Sequence, residues 1–359
     1  MRLTLVVLAA AGCACAAEPS PQARSYLDSA IRIMREKFLH KDKIDWPRLE
    51  RETLAQAAGA QTPVDTYPAI RFALARLGDH HSFLQLTPEL AREERARQPK
   101  LADPSAMPAT APARKVSFPY PSPFRARRLA EGAIVPGSSP PLAQVVIPMI
   151  TAQGAVEMNG HATRIQAVLA ELAARHPCGW IVDLRGNGGG NLWPMMAGIG
   201  PLLGEGEPGA QLHPDGAKSK WYYEAGKSGH RDDTVDPFYA RTNAEPVKLV
   251  AAPPVAVLID RDTGSSGEAM AIAFRGRPAT RFFGELTYGA ATSTFPFPLA
   301  DGAQIYLVTG TMVDRNGIEY PNGVAPDEEV LSLTTLAGND PVIRAASAWL
   351  SKQDACRPR

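Results

Sequence analysis

No sign of charge dominates this chain: 38 lysines and arginines stand against 37 aspartates and glutamates, and no basic block occurs. Nothing electrostatic therefore recommends nucleic acid as a partner. Long apolar runs are also missing. The apolar stretch at the start, MRLTLVVLAAAGCACAA over residues 1–17, is too short to span a bilayer, and no other segment is apolar enough, so no integral membrane segment is expected. Cysteine is scarce, with four in 359 residues, and neither cysteine nor histidine falls at zinc-ligand spacing, so no metal or other cofactor is expected. No internal repeat is evident, which removes solenoids and arrays. What remains is an ordinary globular composition, 45% hydrophobic and 21% charged, long enough for two or three domains.

Residues 1–17 carry one early arginine, a short apolar run and an A-x-A arrangement at Ala14 and Ala16, the marks of a cleaved secretory signal. The expected location is secreted or periplasmic. A second reading of the same residues makes Cys13 the lipidated first residue of a lipoprotein. Cleavage removes Cys13 and Cys15 and leaves Cys178 and Cys356. An exported chain permits these two to pair, but nothing in the sequence places them close in space, and the pairing stays open.

Two segments carry the chemistry. The first, Pro254 to Gly289, opens with a five-residue apolar run, Val255 to Ile259, of the length and β-branched content of a strand buried on both faces. Small residues follow from Thr263 to Gly267, and Glu268 opens a helical pattern with Ala269, Met270, Ile272, Ala273 and Phe274. A serine at such a strand-to-helix corner is lifted clear of the sheet beside the amides of the helix start, which is nucleophile geometry. The same cluster of Gly, Ser and Thr also suits any tight turn. The second segment, Gly179 to Asn191, is a buried strand ending in Arg185 and breaking into Gly186, Asn187, Gly188, Gly189 and Gly190. Glycines this dense let a backbone approach a substrate and offer unobstructed N–H groups.

Together the two segments resemble the serine peptidase family of the C-terminal processing proteases and the tricorn core, whose D-L-R-x-N-x-G-G strand end helps form the oxyanion hole and whose S-x-[SG]-E turn carries the nucleophile. The resemblance continues through Phe283-Gly284-Glu285, Thr287-Tyr288-Gly289 and Gly323-Val324-Ala325-Pro326-Asp327, and so covers most of the chain after about Gln144. It implies an α/β catalytic domain of the crotonase/ClpP-like spiral β-β-α kind. Residue by residue, it puts Ser265 in the nucleophile's place and makes the N–H of Ser266, with Gly188 or Gly189, an oxyanion donor. In one respect the chain departs from the pattern. Where the processing branch has a catalytic lysine in T-F-G-K-G, this chain has Thr287, Tyr288, Gly289, Ala290 and Ala291. Another base is required.

The N-terminal part supplies a candidate. Leu27, Ile31, Met34 and Phe38 recur at helical spacing, a second run from Leu49 to Ala57 follows Asp45-Trp46-Pro47, and a third lines up Ile70, Leu74 and Leu77. Three short helices in a small bundle are expected. The third ends in Gly78, Asp79, His80, His81, Ser82 and Phe83. On the residues alone this is a solvated helix cap, since Gly terminates helices and His suits a helix C-terminus. The resemblance adds that lysine-lacking branches carry a histidine base in a D-[GH]-H-[ST] segment, and His81 falls at that place. His80 is the rival base. Asp79 or Ser82 would orient the ring, and Glu319 is the nearest candidate for the glutamate that completes the tricorn tetrad; it reads equally as an exposed loop carboxylate.

The expected organisation is a signal peptide at 1–17, a helical bundle at 20–98, a Pro-rich linker at 99–141 and a catalytic domain at 142–352. The linker is poor in periodic apolar residues and cannot build the PDZ domain that many processing proteases carry, which weakens the carry-over of tail-specific cleavage from the resemblance. Between Gly204 and Pro246 a polar insertion containing Trp221, Tyr222, Tyr223 and Lys227 reads as a surface flap. The expected activity is hydrolysis of peptides or unfolded protein. Two further readings use the same scaffold: a catalytically silent ligand-binding protein, as in the retinoid carriers that resemble this family, and an esterase or other acyl hydrolase.

Overall fold

The computed structural model describes residues 17–97, 124, 127–152, 154–231, 238–249, 252–331 and 340–357. The signal and lipidation readings, and most of the Pro-rich stretch, lie outside these residues. The chain forms two compact units, one holding the N-terminal residues with 295–307, the other holding 114–294 with 308–359.

In the first unit, α1 (Pro21–Lys37) begins where Ser20 caps the amide of Ala23, and α2 (Trp46–Gln56) begins where Asp45 caps Arg48. Each has proline in its first turn, where a missing N–H costs nothing. With α3 (Tyr67–Arg76) they enclose Leu27, Ile31, Met34, Ile70 and Leu74, the residues whose spacing predicts the bundle. A short strand β1 (Phe83–Gln85) and a fourth helix α4 (Pro88–Arg97) follow. The helix was not expected, because it buries no residue and so leaves no apolar stripe to read. Its ion pairs Arg71–Glu94 and Arg97–Glu93 take the place of that stripe. Strand β1 pairs antiparallel with residues 304–306. Asp301 fixes this returning segment to the bundle, accepting the phenols of Tyr26 at 2.7 Å and Tyr67 at 2.6 Å. Burial, then the Asp301 carboxylate, hold both phenols above their ordinary pKa.

The second unit runs through β2 (Glu131–Ile134), β3 (Leu142–Val146), α5 (Ala155–Ala173), β4 (Gly179–Asp183), α6 (Leu192–Leu203), β5 (Gly206–Leu212), β6 (Lys218–Glu224), β7 (Lys227–Arg231), β8 (Phe238–Arg241), β9 (Val255–Ile259), α7 (Ser266–Phe274), β10 (Thr280–Gly284), β11 (Thr292–Pro298), β12 (Gln304–Asp314), β13 (Glu328–Glu329) and α8 (Pro341–Leu350), with β11 and the start of β12 reaching into the first unit's residues. The main sheet has the order β13-β10-β9-β4-β3-β2, parallel except for the β2–β3 edge. Both faces are covered. Val145, Trp180, Val182, Val257 and Ile259 face α5, α6 and α7, while Leu142, Ile181, Ala256, Leu258 and Phe283 face α8. Strands buried on two faces read as continuous apolar runs, which is why β4 and β9 stand out in the sequence. The mixed α/β class is as expected. Within the stretch read as linker, Glu131–Ile134 is a strand at the sheet edge, exposed enough to leave no apolar signature.

The insertion read as a flap is instead four antiparallel strands, β5 to β8, with the later half of β12 paired to β5. Trp221, Tyr222 and Tyr223 are buried, and a β-carbon on Gly200 of α6 would lie 1.9 Å from the Tyr223 ring, so the meander is packed onto the domain.

One buried ion cluster organises the end of β4. Arg185 is fully buried and donates Nε and Nη2 to the two oxygens of Asp183 at 2.9 and 2.8 Å, and Nη1 to Asp340 at 2.7 Å. Asp340 also caps α8. Beyond the other end of the same helix, in the turn that follows it, Cys356 is disulfide-bonded to Cys178, which precedes β4. Helix α8 is therefore tied to both ends of one central strand. Burial alone would raise the Asp183 carboxyl, but the Arg185 charge and hydrogen bonds, with help from Arg127, hold it well below the usual carboxylate range. A depressed folded-state pKa contributes stability that is present above the unfolded value, about 4, and is lost as pH falls below it. Arg185→Met is expected to cost about 3 kcal/mol, because it leaves the buried Asp183 with Arg127 as its remaining cationic partner and removes both hydrogen bonds to the guanidinium. Urea denaturation at pH 7 checks this, and the gap from the parent should narrow on acidification as Asp183 takes up a proton.

Candidate functional site

Strands β4 and β9 are parallel neighbours, with Asp183 beside Leu258, so their C-terminal ends emerge together. Ligands of parallel sheets bind outside such ends. Here the topology brings the glycine-rich loop after β4 against the serine corner after β9. The two loops are stitched by one backbone and two side-chain hydrogen bonds: Gly264 N–H donates to Asn187 O at 3.0 Å, the Thr263 hydroxyl to Leu184 O at 3.0 Å, and Gly186 N–H to Asp260 Oδ1 at 2.9 Å. Asn187 is fully buried and spans the junction, its Nδ2 donating to Ile147 O at 3.0 Å and its Oδ1 accepting from Gly189 N–H at 3.0 Å.

Ser265 sits at the corner with φ +52° and ψ −120°, a conformation that a side-chain-bearing residue adopts at a cost of order 1–3 kcal/mol. Strain of this kind persists only where its surroundings impose it. They do so from two sides. A β-carbon on Gly189, itself at φ +112°, would lie 2.7 Å from Ser265 Cβ and 3.0 Å from Ser266 N, so only glycine permits this approach. Behind the serine, Glu268 accepts Ser265 N–H at 3.0 Å and Ala290 N–H at 2.8 Å on Oε2, and the Thr287 hydroxyl at 2.6 Å and Gly289 N–H at 2.8 Å on Oε1. Glu268 is completely buried. Burial pushes its carboxyl up from the ordinary value, against the pull of the four donors.

Helix α7 starts at Ser266 rather than Glu268, and the N–H groups of a helix's first turn have no intrahelical acceptor. The Ser266 amide, beside the glycine loop, is such a group, while its hydroxyl donates to Gly190 O at 2.7 Å. Ala290, standing where the resemblance places a lysine, is buried and offers only a methyl group.

The structure thus brings Ser265, Ser266, Gly188, Gly189 and Gly190 to one place. His81 belongs to the other unit, where Asp79 Oδ1 accepts the backbone N–H groups of His81 and Ser82 and so fixes the turn after α3; Asp79 Oδ2 is buried with no hydrogen-bond partner. His80 is exposed. Glu319 lies on an exposed turn after β12 and accepts the Thr311 hydroxyl at 2.8 Å. The anchoring roles of Glu268 and Asn187 were missed from sequence. The signal for Glu268 was available, since Ser265-Ser266-Gly267-Glu268 has the S-x-x-E spacing of a capping box. Among the described residues no cluster of His, Cys, Asp and Glu could hold a metal, and no helix is long and apolar enough to cross a membrane.

Residues 142–330 match the profile of peptidase family S41. The chain belongs to that family. A Lactococcus lactis subsp. lactis relative, a nisin-resistance protein, is 26% identical over 316 residues, covering 86% of this chain and 83% of its own. Among solved structures, the S41 fold seen here is similar to a lipoprotein from Streptococcus agalactiae, with TM-score 0.66 at 19% identity over 97% of this chain and 99% of that one. It is also similar to the photosystem II D1 C-terminal processing protease, with TM-score 0.55 at 18% identity over 93% and 98%. At these identities the likeness is one of fold.

Proposed function

We propose that this S41 peptidase is a serine peptidase that hydrolyses peptides or unfolded protein outside the cytoplasm, with Ser265 as nucleophile and His81 as base. The observation that carries the reading is the strained Ser265 corner held between Gly189 and Glu268. Ser265 Oγ attacks the scissile carbonyl while His81 takes its proton, then returns it to the leaving amine; water releases the acyl-enzyme by the same route. The oxyanion is received by the N–H of Ser266 and by one from Gly188 or Gly189. The Gly189 amide is held by Asn187 Oδ1 and would exchange that acceptor for the oxyanion. Location outside the cytoplasm is supported by the signal-like sequence pattern of residues 1–17 and by the Cys178–Cys356 disulfide, a bond that persists in oxidising compartments.

The name of the Lactococcus relative makes nisin the first peptide to offer, followed by unfolded proteins. With a cleaved substrate in hand, His81→Ala is expected to lower kcat by about 10²–10⁴-fold, the usual contribution of a general base. His80→Ala should change it only a few-fold, and the acid limb of the kcat/KM profile, set by an imidazole, should vanish in the His81 variant alone. Equal activity of His81→Ala and the parent removes His81 as base.

A further inference from the structure

Two large apolar side chains stand exposed beside the serine corner, and each rests on a glycine of the loops that enclose it. Met149, 36% exposed, has its sulfur 3.8 Å from where a β-carbon of Gly188 would lie. Tyr288, 57% exposed, packs its Cβ and ring against the Cα of Gly264, where a β-carbon would lie 3.2 Å from Tyr288 Cβ. Gly188 immediately precedes Gly189, which touches Ser265 Cβ, and Gly264 immediately precedes Ser265. One apolar group therefore stands on the glycine-loop side of the serine and the other on the strand-β9 side.

The aromatic one is rigidly presented. Tyr288 N–H donates to Thr263 O at 2.9 Å, and the flanking Thr287 hydroxyl and Gly289 N–H are both held by Glu268. An aromatic ring on a fixed backbone offers a large contact area for the loss of two torsions. Methionine on the other side is unbranched and adapts to the shape it meets. Neither ring nor thioether contributes to the core where it stands. Both stand against residues adjacent to the serine corner, so a chain bound with its carbonyl at Ser265 would be placed to cover them.

We infer that Met149 and Tyr288 are specificity-determining residues that receive apolar side chains of the substrate on the two sides of the scissile bond, so that the preferred peptides are apolar there. This rests on Ser265 being the nucleophile, and the test separates the two claims. Two fluorophosphonates with the same warhead, one with an alkyl tail and one with a short polyethylene glycol tail, report Ser265 reactivity through either probe and apolar recognition through their rate ratio. The alkyl probe is expected to label the full-length mature protein roughly tenfold faster, the size of discrimination that a few methylenes give in an apolar site. The ratio should fall toward one in Met149→Gln/Tyr288→Ser and be kept in Tyr288→Phe, since the phenol oxygen is not needed. Labelling by both probes at equal rates, or a ratio indifferent to these substitutions, overturns the inference while leaving the nucleophile in place. Labelling by neither probe overturns both.

Discussion

Replacing Ser265, the proposed nucleophile, by alanine is expected to reduce peptide hydrolysis by at least about 10⁴-fold, because it leaves only what binding and the proposed oxyanion donors supply. Stability should change little, by about 0.5 kcal/mol or less, since a small side chain at a half-buried corner contributes little. The sharper comparison is Ser265→Gly. At φ +52° any side-chain-bearing residue is strained, and glycine is not. The glycine variant is therefore expected to be as inactive as alanine yet more stable than the parent by about 1 kcal/mol. Urea denaturation of the three proteins, alongside their hydrolysis rates, checks both halves. A serine held in strain only for packing would give stability losses in both variants and no loss of rate.

Glu268→Gln is the second large effect. Its carboxylate accepts four hydrogen bonds, two on each oxygen, and offers nothing else. An amide keeps one acceptor oxygen and turns an NH₂ group toward two donors, so at least one buried N–H loses its partner. The expected cost is about 2–4 kcal/mol, from the unsatisfied groups and the bond to a charged acceptor that is lost. The catalytic cost exceeds what stability alone would give. Ser265 N–H is one of the four donors, so release of Glu268 shifts the serine within its corner, and a displacement near 1 Å costs about 10²-fold in rate. Kinetics at a temperature where the variant remains folded would show kcat reduced with KM little changed. A variant of parental kcat and lowered stability would make Glu268 a core residue without a catalytic consequence.

The sequence carried much of the domain and less of its surroundings. Strands β4 and β9 were legible because both faces are covered and five consecutive residues are buried in each. The meeting of the glycine loop with the serine corner followed from that, since parallel neighbours deliver their C-terminal ends to one place. Helix α4 was not legible because charge pairs, not an apolar stripe, hold it. The β5 to β8 meander was missed for a different reason. Strands β5 to β7 are rich in polar residues and glycine and bury two or three consecutive positions rather than alternate ones, so they looked like a polar insertion, although Asp215-Gly216 is a hairpin signal and Trp221 to Tyr223 are strand formers. In the ion cluster of Asp183, Arg185 and Asp340, the Arg185–Asp340 pair joins residues 155 positions apart, and no local pattern announces it.

The most direct test of the central claim, an activated Ser265, is covalent labelling by a fluorophosphonate followed by intact mass and peptide mapping. It requires no knowledge of the substrate. The account predicts a single adduct on the peptide containing Ser265, absent from Ser265→Ala and formed far more slowly in His81→Ala. A well-folded protein that takes up no label, or takes it elsewhere, would contradict the account and leave an S41 scaffold whose strained serine corner serves binding rather than hydrolysis.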